Sequence, residues 1–283
     1  SLRKLLRCMA TECCTIGAPP AREGPLFHPP ANPENVPMRY EAEDILRELR
    51  EVSFQRNLRT RDAALGERVD ALKRYQQARF QLTYADLLAS PRHGPAARFF
   101  LNELYGPGDF SLRDAQFARI VPTLVRLFPQ GIVETVVQLA RVHALSERLD
   151  TRMAQALQSP QLDPAAYVQA WQACGEPDQR RLQLALTLAV GRSLDGYARK
   201  PMLRASLHMM RGPAKAAGLG DLQHFLESGF DTFQAMRGAQ EFLGCIEKRE
   251  TELMNRLFAP DAVAKATGPD RANDRALVQL PLA

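Results

Sequence analysis

The sequence has 283 residues, of which 45% are hydrophobic and 24% are charged. These values indicate a globular protein with a sizeable core and exclude a disordered or fibrous chain. The formal net charge is +5, with 37 Lys and Arg residues spread among 32 Asp and Glu residues. Because the basic residues are mixed with acids and no nucleic-acid-binding motif occurs, the composition disfavours nucleic acid as a partner.

The sequence favours a cytoplasmic protein. No apolar run approaches the roughly 20 residues of a membrane-spanning helix. Arg7 and Glu12 interrupt the stretch that most resembles a signal peptide. The five cysteines are odd in number and lack Cys-x-x-Cys spacing, which is typical of reduced thiols rather than of disulfides or a zinc site.

Residues 1–37 differ in composition from the rest of the chain. Seven prolines lie between residues 15 and 37, and neither helical nor strand periodicity survives there. A helical pattern begins directly after Met38. We expect residues 1–37 to be a flexible extension, or sequence from upstream of the true start, and the ordered protein to begin near Met38.

From residue 39 onward, apolar residues recur every three or four positions, which is the spacing of an amphipathic helix. Two such stripes cover residues 45–52 and 65–84, and a short apolar segment follows at residues 99–105. Pro122 lies inside the next helical segment, so we expect a kink or a break at that point.

Helical patterns continue through the second half of the chain. Residues 131–157 form a long amphipathic stretch, and Asp163-Pro164 is typical of a helix start, with a capping carboxylate followed by proline. Further helices are expected to start near Pro177, Pro201 and Asp221. The pattern predicts an all-α fold, a single bundle of roughly nine or ten helices, with a helical domain over 38–258 and a flexible tail over 259–283.

The segment Phe99-Phe-Leu-Asn-Glu-Leu-Tyr105 resembles the Phe-Phe-Leu-Glu-Glu-Leu-Tyr (FFLEELY) motif that names an uncharacterised bacterial family. The similarity continues at residues 109–114, 142–150 and 191–195 and covers most of residues 40–250. The chain departs from the motif at Asn102, where the family has Glu. The resemblance implies a bacterial, all-helical protein that starts near Met38, and it implies no activity, cofactor or catalytic residue.

Histidine and carboxylate residues on helices form one candidate site. His143 and Glu147 are four residues apart, and Asp221 and His224 are three apart. Ferritin-like di-iron proteins use Glu-x-x-His pairs on facing helices, and Asp221-x-x-His224 is the nearest analogue here. Because metal geometry needs more inward-facing carboxylates than the sequence offers, we favour a half-buried His143 and a solvated face at 221–227.

A basic segment forms the second candidate site. Between Asp195 and Asp221 the sequence contains no acid, and glycines there precede a helix start, which suits a phosphate or a carboxylate. The alternative is a solvated basic surface on which Arg192 bonds Asp195. The candidate anion-binding residues are Arg192, Arg199, Lys200, Arg204, Arg211 and Lys215.

The motif content disfavours an enzyme. The sequence contains no Gly-x-Ser-x-Gly, Walker A or dinucleotide-binding motif. We therefore expect a non-enzymatic protein that binds a partner protein or an anionic small molecule through the basic segment. A helical metal-binding protein or enzyme that uses the His and carboxylate residues is the alternative, and no particular cofactor is indicated.

Overall fold

The computed structural model describes residues 39–104 and 108–282. Within these residues the chain forms thirteen α-helices and no β-strand, which confirms the all-α prediction. None of the helices in this part of the chain is long and apolar enough to cross a membrane. The extension predicted for residues 1–37 lies outside the described residues.

Short connections join the helices, and four of the helices have only five or six residues. Gly94–Phe99 continues directly into a π-helical turn at Phe100–Leu104. The α-helices are α1 (Ala42–Arg61), α2 (Ala63–Thr83), α3 (Ala85–Ala89), α4 (Gly94–Phe99), α5 (Ser111–Leu127), α6 (Gln130–Ala156), α7 (Pro164–Cys174), α8 (Pro177–Ala198), α9 (Pro201–Met209), α10 (Arg211–Ala216), α11 (Gly220–Met236), α12 (Gln240–Leu257) and α13 (Ala262–Thr267).

Helix α6 lies at the centre of the bundle and contacts α1, α2, α7 and α8. It covers the long amphipathic stretch expected at residues 131–157. Near its start, Val133 and Val137 pack into an apolar cluster with residues of α1 and α5. Near its end, Met153 packs into a second cluster with residues of α2, α7 and α12. Because each fully buried aliphatic side chain contributes about 1.5–3 kcal/mol, these two clusters fix both ends of α6 against its neighbours.

A third apolar cluster connects α4 and α8 to α11 and α12. Its aromatic centre is Phe100, whose ring lies 6.3 Å from that of Phe233 and 5.6 Å from that of Phe242. Phe233 is near the end of α11 and Phe242 is near the start of α12. The cluster therefore holds in place the short turn between these two helices, where the candidate site described below is found.

Residues 262–280 fold against the bundle, whereas the sequence analysis expects a flexible tail from residue 259. Helix α13 is followed by 3-10 turns at Pro269–Asn273 and Leu277–Gln279. Leu277 and Leu280 are fully buried in the cluster that contains Met153. Arg256 on α12 adds an ion pair to Asp274 at 2.5 Å. Turns of three to five residues are too short to show a helical stripe, so the periodicity of the sequence does not reveal this segment.

Candidate functional site

The fold brings acidic side chains to most of the basic residues singled out in the sequence. These acids lie on the last turn of α8, on α11 and on α12. Although the sequence has no acid between residues 195 and 221, acids from these helices neutralise most of the basic residues. Lys200 lies 5.8 Å from the centre of the Tyr197 ring, and Lys215 is exposed on α10. The ion pairs are Arg192–Glu247 at 3.3 Å, Arg199–Asp195 at 2.5 Å, Arg204–Asp231 at 2.8 Å and Arg211–Glu227 at 2.7 Å.

One of these residues, Arg199, lines an open cleft of about 430 Å³ beside the start of α12. Two further arginines, Arg92 and Arg237, line the same cleft. A Cβ atom placed on Gly238 would lie 3.7 Å from a terminal nitrogen of Arg199 and 4.0 Å from one of Arg92. The two guanidinium groups therefore converge on one point of the backbone. We call the cleft formed by Arg92, Arg199 and Arg237 the arginine cleft, and its other lining residues are Gly238, Gln240 and Glu241.

The turn between α11 and α12 forms one wall of the arginine cleft. Arg237 ends α11 in the left-handed region, with φ of 52°, and its backbone N–H donates to the carbonyl oxygen of Gln234. Gly238 follows with φ of 121°, a conformation that side chains with a Cβ rarely adopt. This pair of backbone conformations reverses the chain within a few residues and places Arg237 at the mouth of the cleft.

Arg92 is held in place mainly by backbone carbonyl groups. Its Nε donates to the Met236 carbonyl oxygen at 2.8 Å, and one terminal nitrogen donates to that of Gly238 at 3.1 Å. The other terminal nitrogen donates to the Glu241 carboxylate at 2.9 Å. Two carbonyl bonds thus fix the guanidinium group at the end of α11, independently of the Glu241 side chain.

Asp195 links Arg199 to the start of α12. One carboxylate oxygen accepts from Arg199 at 2.5 Å, and the other accepts from the backbone N–H of Ala239 at 3.0 Å. Ala239 immediately precedes α12, whose positive dipole end faces this region. By contrast, the Arg237 side chain forms no ion pair or hydrogen bond within residues 39–104 and 108–282. Among the described residues, three guanidinium groups line the cleft, and two carboxylates pair with them: Glu241, which also lines the cleft, and Asp195, which pairs with Arg199.

Residues 55–264 match a family described as "Domain of unknown function (DUF8198)". The chain belongs to the DUF8198 family. No curated protein and no solved structure matches the sequence. The DUF8198 region begins in α1 and ends in α13, so it contains every residue of the arginine cleft.

The His and carboxylate residues considered as metal ligands occupy separate polar contacts in the DUF8198 domain. His143 Nε2 is 2.9 Å from Asp114 Oδ2, and Asp221 accepts from the Gln116 side chain at 2.8 Å. His224 is exposed on α11. The described part of the chain contains no group of three or more His, Cys, Asp or Glu residues that could hold a metal ion.

Glu147 lies among positive charges in the interior of the DUF8198 domain. Its carboxylate is 2.6 Å from an Arg59 nitrogen and 2.9 Å from Lys73 Nζ. Burial acts to raise the pKa of Glu147, but the charges of Lys73 and Arg59 outweigh burial and lower this pKa to about 2. Asp150, one turn later, accepts from Gln76, and burial raises its pKa. Glu147 is thus a charged partner for two buried cations that connect α6 to α1 and α2.

Arg92 and Arg237, which complete the arginine cleft, are not among the basic residues predicted from the sequence. Arg92 lies between Pro91 and His93 in a segment with no charge pattern, and nothing in the sequence near it indicates that it lies beside α12. The sequence does contain one local indication of an anion site, the pair Arg237-Gly238 just before a helix start. A glycine at such a turn, followed by the free N–H groups of a helix start, is typical of anion-binding loops. Of the six basic residues predicted, Arg199 alone lines this cleft.

Proposed function

We propose that this DUF8198 protein is a non-enzymatic binding protein whose arginine cleft holds the anionic group of a ligand, a phosphate or a carboxylate. The observation that carries the proposal is the convergence of Arg92 and Arg199 beside Gly238. Arg237, which has no ion pair or hydrogen bond to the described residues, lies on the same cleft. Arginine side chains present planar sets of N–H donors that match the oxygens of both anions.

The electrostatics of the cleft support an anionic ligand. Like charges that share a cleft repel one another, and an anion placed between them removes that repulsion. The start of α12 adds positive potential from its exposed N–H groups. Arg237 also occupies a left-handed backbone conformation that is unfavourable for a residue other than glycine. Backbone positions of this kind cluster at ligand-binding sites, which favours a role for the Arg237 side chain.

The other predicted basic residues are assigned a smaller role in this proposal. Arg192, Arg204 and Arg211 are each paired with a carboxylate, Lys200 lies near the Tyr197 ring, and Lys215 is exposed. We propose that they contribute to the general positive field that attracts an anion, and that they do not contact the anionic group.

We propose a bacterial, cytoplasmic setting for this activity. The FFLEELY-like segment supports the bacterial origin. Two cysteines in the described part of the chain, Cys174 and Cys245, are free thiols, which is compatible with a reducing compartment.

Thermal unfolding in the presence of simple anions tests the proposal. Inorganic phosphate at ten times its dissociation constant should stabilise the protein by about 1.4 kcal/mol and raise Tm by roughly 3–5 °C. Acetate serves as the carboxylate probe, and chloride at matched ionic strength serves as the reference for general salt effects. Arg237→Gln should abolish most of the shift, because Arg237 has no partner that holds its side chain for another purpose.

Arg181→Gln is the matched control, since it removes one exposed arginine on α8 that pairs only with Asp178. This variant should keep the full shift. Equal shifts in the two variants, or no shift with phosphate and acetate beyond that of chloride, would contradict a binding role for the arginine cleft.

A further inference from the structure

We infer that the arginine cleft takes a doubly charged, phosphate-type group, and that this group displaces the Glu241 carboxylate from Arg92. The inference rests on the proposed function and adds to it the charge of the ligand and a competing group within the protein. It is based on the different ways in which Asp195 and Glu241 are held.

Charge balance favours a dianion over a monoanion. With Asp195 and Glu241 both in place, the three arginines of the cleft leave one net positive charge. When Glu241 leaves Arg92, two positive charges remain, supplied by Arg92 and Arg237, while Asp195 still neutralises Arg199. A phosphate monoester carries close to two negative charges above its second pKa of about 6, so it matches the cleft without Glu241.

Glu241 is the carboxylate that can leave. Its side chain is 71% exposed, and its contact in the cleft is the single hydrogen bond from Arg92. Asp195 is only 14% exposed and accepts from both Arg199 and the backbone of Ala239. Loss of Asp195 would leave an unpaired backbone N–H at the start of α12, whereas Glu241 can be solvated by water as soon as it moves.

Arg92 keeps its position when Glu241 moves. The carbonyl oxygens of Met236 and Gly238 still accept two of its N–H groups. The terminal nitrogen released by Glu241 then offers a preoriented donor to the incoming anion. Glu241 thus acts as a weak internal competitor, because an exposed ion pair of this kind contributes little net stability.

Calorimetric titration of the full chain at pH 8 tests both parts of the inference. Phenyl phosphate is the dianionic probe, and phenyl sulfate is the monoanionic probe with the same tetrahedral shape. We expect phenyl phosphate to bind at least tenfold more tightly than phenyl sulfate. Glu241→Gln should bind phenyl phosphate about two- to fivefold more tightly than the unaltered protein, the range expected for removing an exposed ion-pair competitor.

Glu247→Gln is the matched control, because it removes an exposed carboxylate from the same helix that pairs with Arg192. Its affinity for phenyl phosphate should not change. Arg237→Gln should bind phenyl phosphate roughly tenfold more weakly, as expected for loss of a charged hydrogen-bond donor. Circular dichroism of each variant checks that the helices are retained.

The possible failures are distinguishable. If phenyl phosphate binds and Arg237→Gln weakens it, but Glu241→Gln leaves the affinity unchanged or lowers it, displacement of Glu241 is overturned and the anion-binding function stands. If phenyl sulfate binds as tightly as phenyl phosphate, the preference for a dianion is overturned. If neither probe binds the unaltered protein or Glu241→Gln, the inference is overturned. The proposed function is overturned as well if phosphate and acetate also leave Tm unshifted relative to chloride.

Discussion

Replacing Glu147 by Gln should destabilise the protein by about 3 kcal/mol at neutral pH, because the change leaves two buried cations without their shared carboxylate. The side chains of Glu147, Arg59 and Lys73 are 7%, 12% and 15% exposed, so water cannot replace the lost charge effectively. Arg59 retains its bonds to the Glu147 carbonyl oxygen and to Thr151, which limits the loss. For a chain of this size the change corresponds to a fall in Tm of roughly 6–12 °C.

The pKa of Glu147 gives a second value for the stability that its carboxylate contributes, and it gives the direction in which this stability changes with pH. Despite burial, Lys73 and Arg59 lower this pKa from 4.5 to about 2. At about 1.4 kcal/mol per pKa unit, this difference in pKa corresponds to roughly 3 kcal/mol of folding free energy. Because the folded-state pKa is the lower one, this stabilisation is complete above about pH 4.5 and is lost as the pH falls towards 2. The gap between the unaltered protein and Glu147→Gln should therefore be constant from pH 7 to about 5 and shrink below it.

Urea unfolding followed by circular dichroism at pH 7, 5 and 3.5 measures the free energy of unfolding for both proteins. Glu134→Gln is the control, since Glu134 is exposed on the same helix and interacts with Gln138 alone. Its free energy of unfolding should stay within about 0.5 kcal/mol of the unaltered value. A loss below 1 kcal/mol for Glu147→Gln, or a loss that does not change with pH, would refute the reasoning.

Two further predictions concern helix packing and capping, and both are measured as changes in the free energy of unfolding. Gly191→Ala should destabilise the protein by about 1–2 kcal/mol, because the new Cβ would lie 2.6 Å from a methyl carbon of the buried Leu243. Gly196 lies on the same helix with open space around it, so Gly196→Ala should stabilise the protein by about 0.5–1 kcal/mol. If both substitutions had the same sign, close packing of α8 on α12 at Gly191 would be contradicted. Asp163→Ala should lower the free energy of unfolding by about 1 kcal/mol, since Asp163 accepts the 2.7 Å hydrogen bond from Ala166 N–H at the start of α7. Asp163→Asn should retain most of this stability, because the Asn side-chain oxygen can accept the same bond.

The helices that the sequence reveals are those whose local pattern and tertiary packing agree. Helix α6 shows a long apolar stripe because it packs against five other helices, α1, α2, α5, α7 and α8. Asp163-Pro164 predicts the start of α7 because capping depends on neighbouring residues alone. The helices α3, α4, α10 and α13 are each shorter than two turns, so they leave no periodic signal.

Pro122 lies inside α5, and the break that was one of the two outcomes expected there does not occur. Proline removes one backbone hydrogen bond, yet α5 runs without interruption from Ser111 to Leu127. The neighbouring Val121 is fully buried in the cluster with α1 and α6. This packing holds both halves of α5 in one helix, which the sequence around the proline does not indicate.

The candidate site was only partly predictable because its residues come from distant parts of the chain. Arg199 belongs to a basic segment that is visible in the sequence, but Arg92 lies more than a hundred positions earlier. The acids that neutralise Arg204 and Arg211 come from α11, and a list of charges along the chain does not show such pairs. Sequence patterns therefore predict a basic segment but not the place where the cations converge.

The burial of Leu277 and Leu280 has a consequence for synthesis of the chain on the ribosome. The Tyr75 hydroxyl on α2 donates to the carbonyl oxygen of Pro281, which lies 206 residues later in the sequence. The apolar surface around Tyr75 is therefore complete only after the last residues of the cluster, Leu277 and Leu280, have been synthesised. At typical translation rates of 5–20 residues per second, the part of that surface that the C-terminal residues cover stays uncovered on the nascent polypeptide for roughly 10–40 s. A chaperone that binds exposed apolar segments can bind α2 during this interval. The native fold is complete only after residues 277–280 have been synthesised.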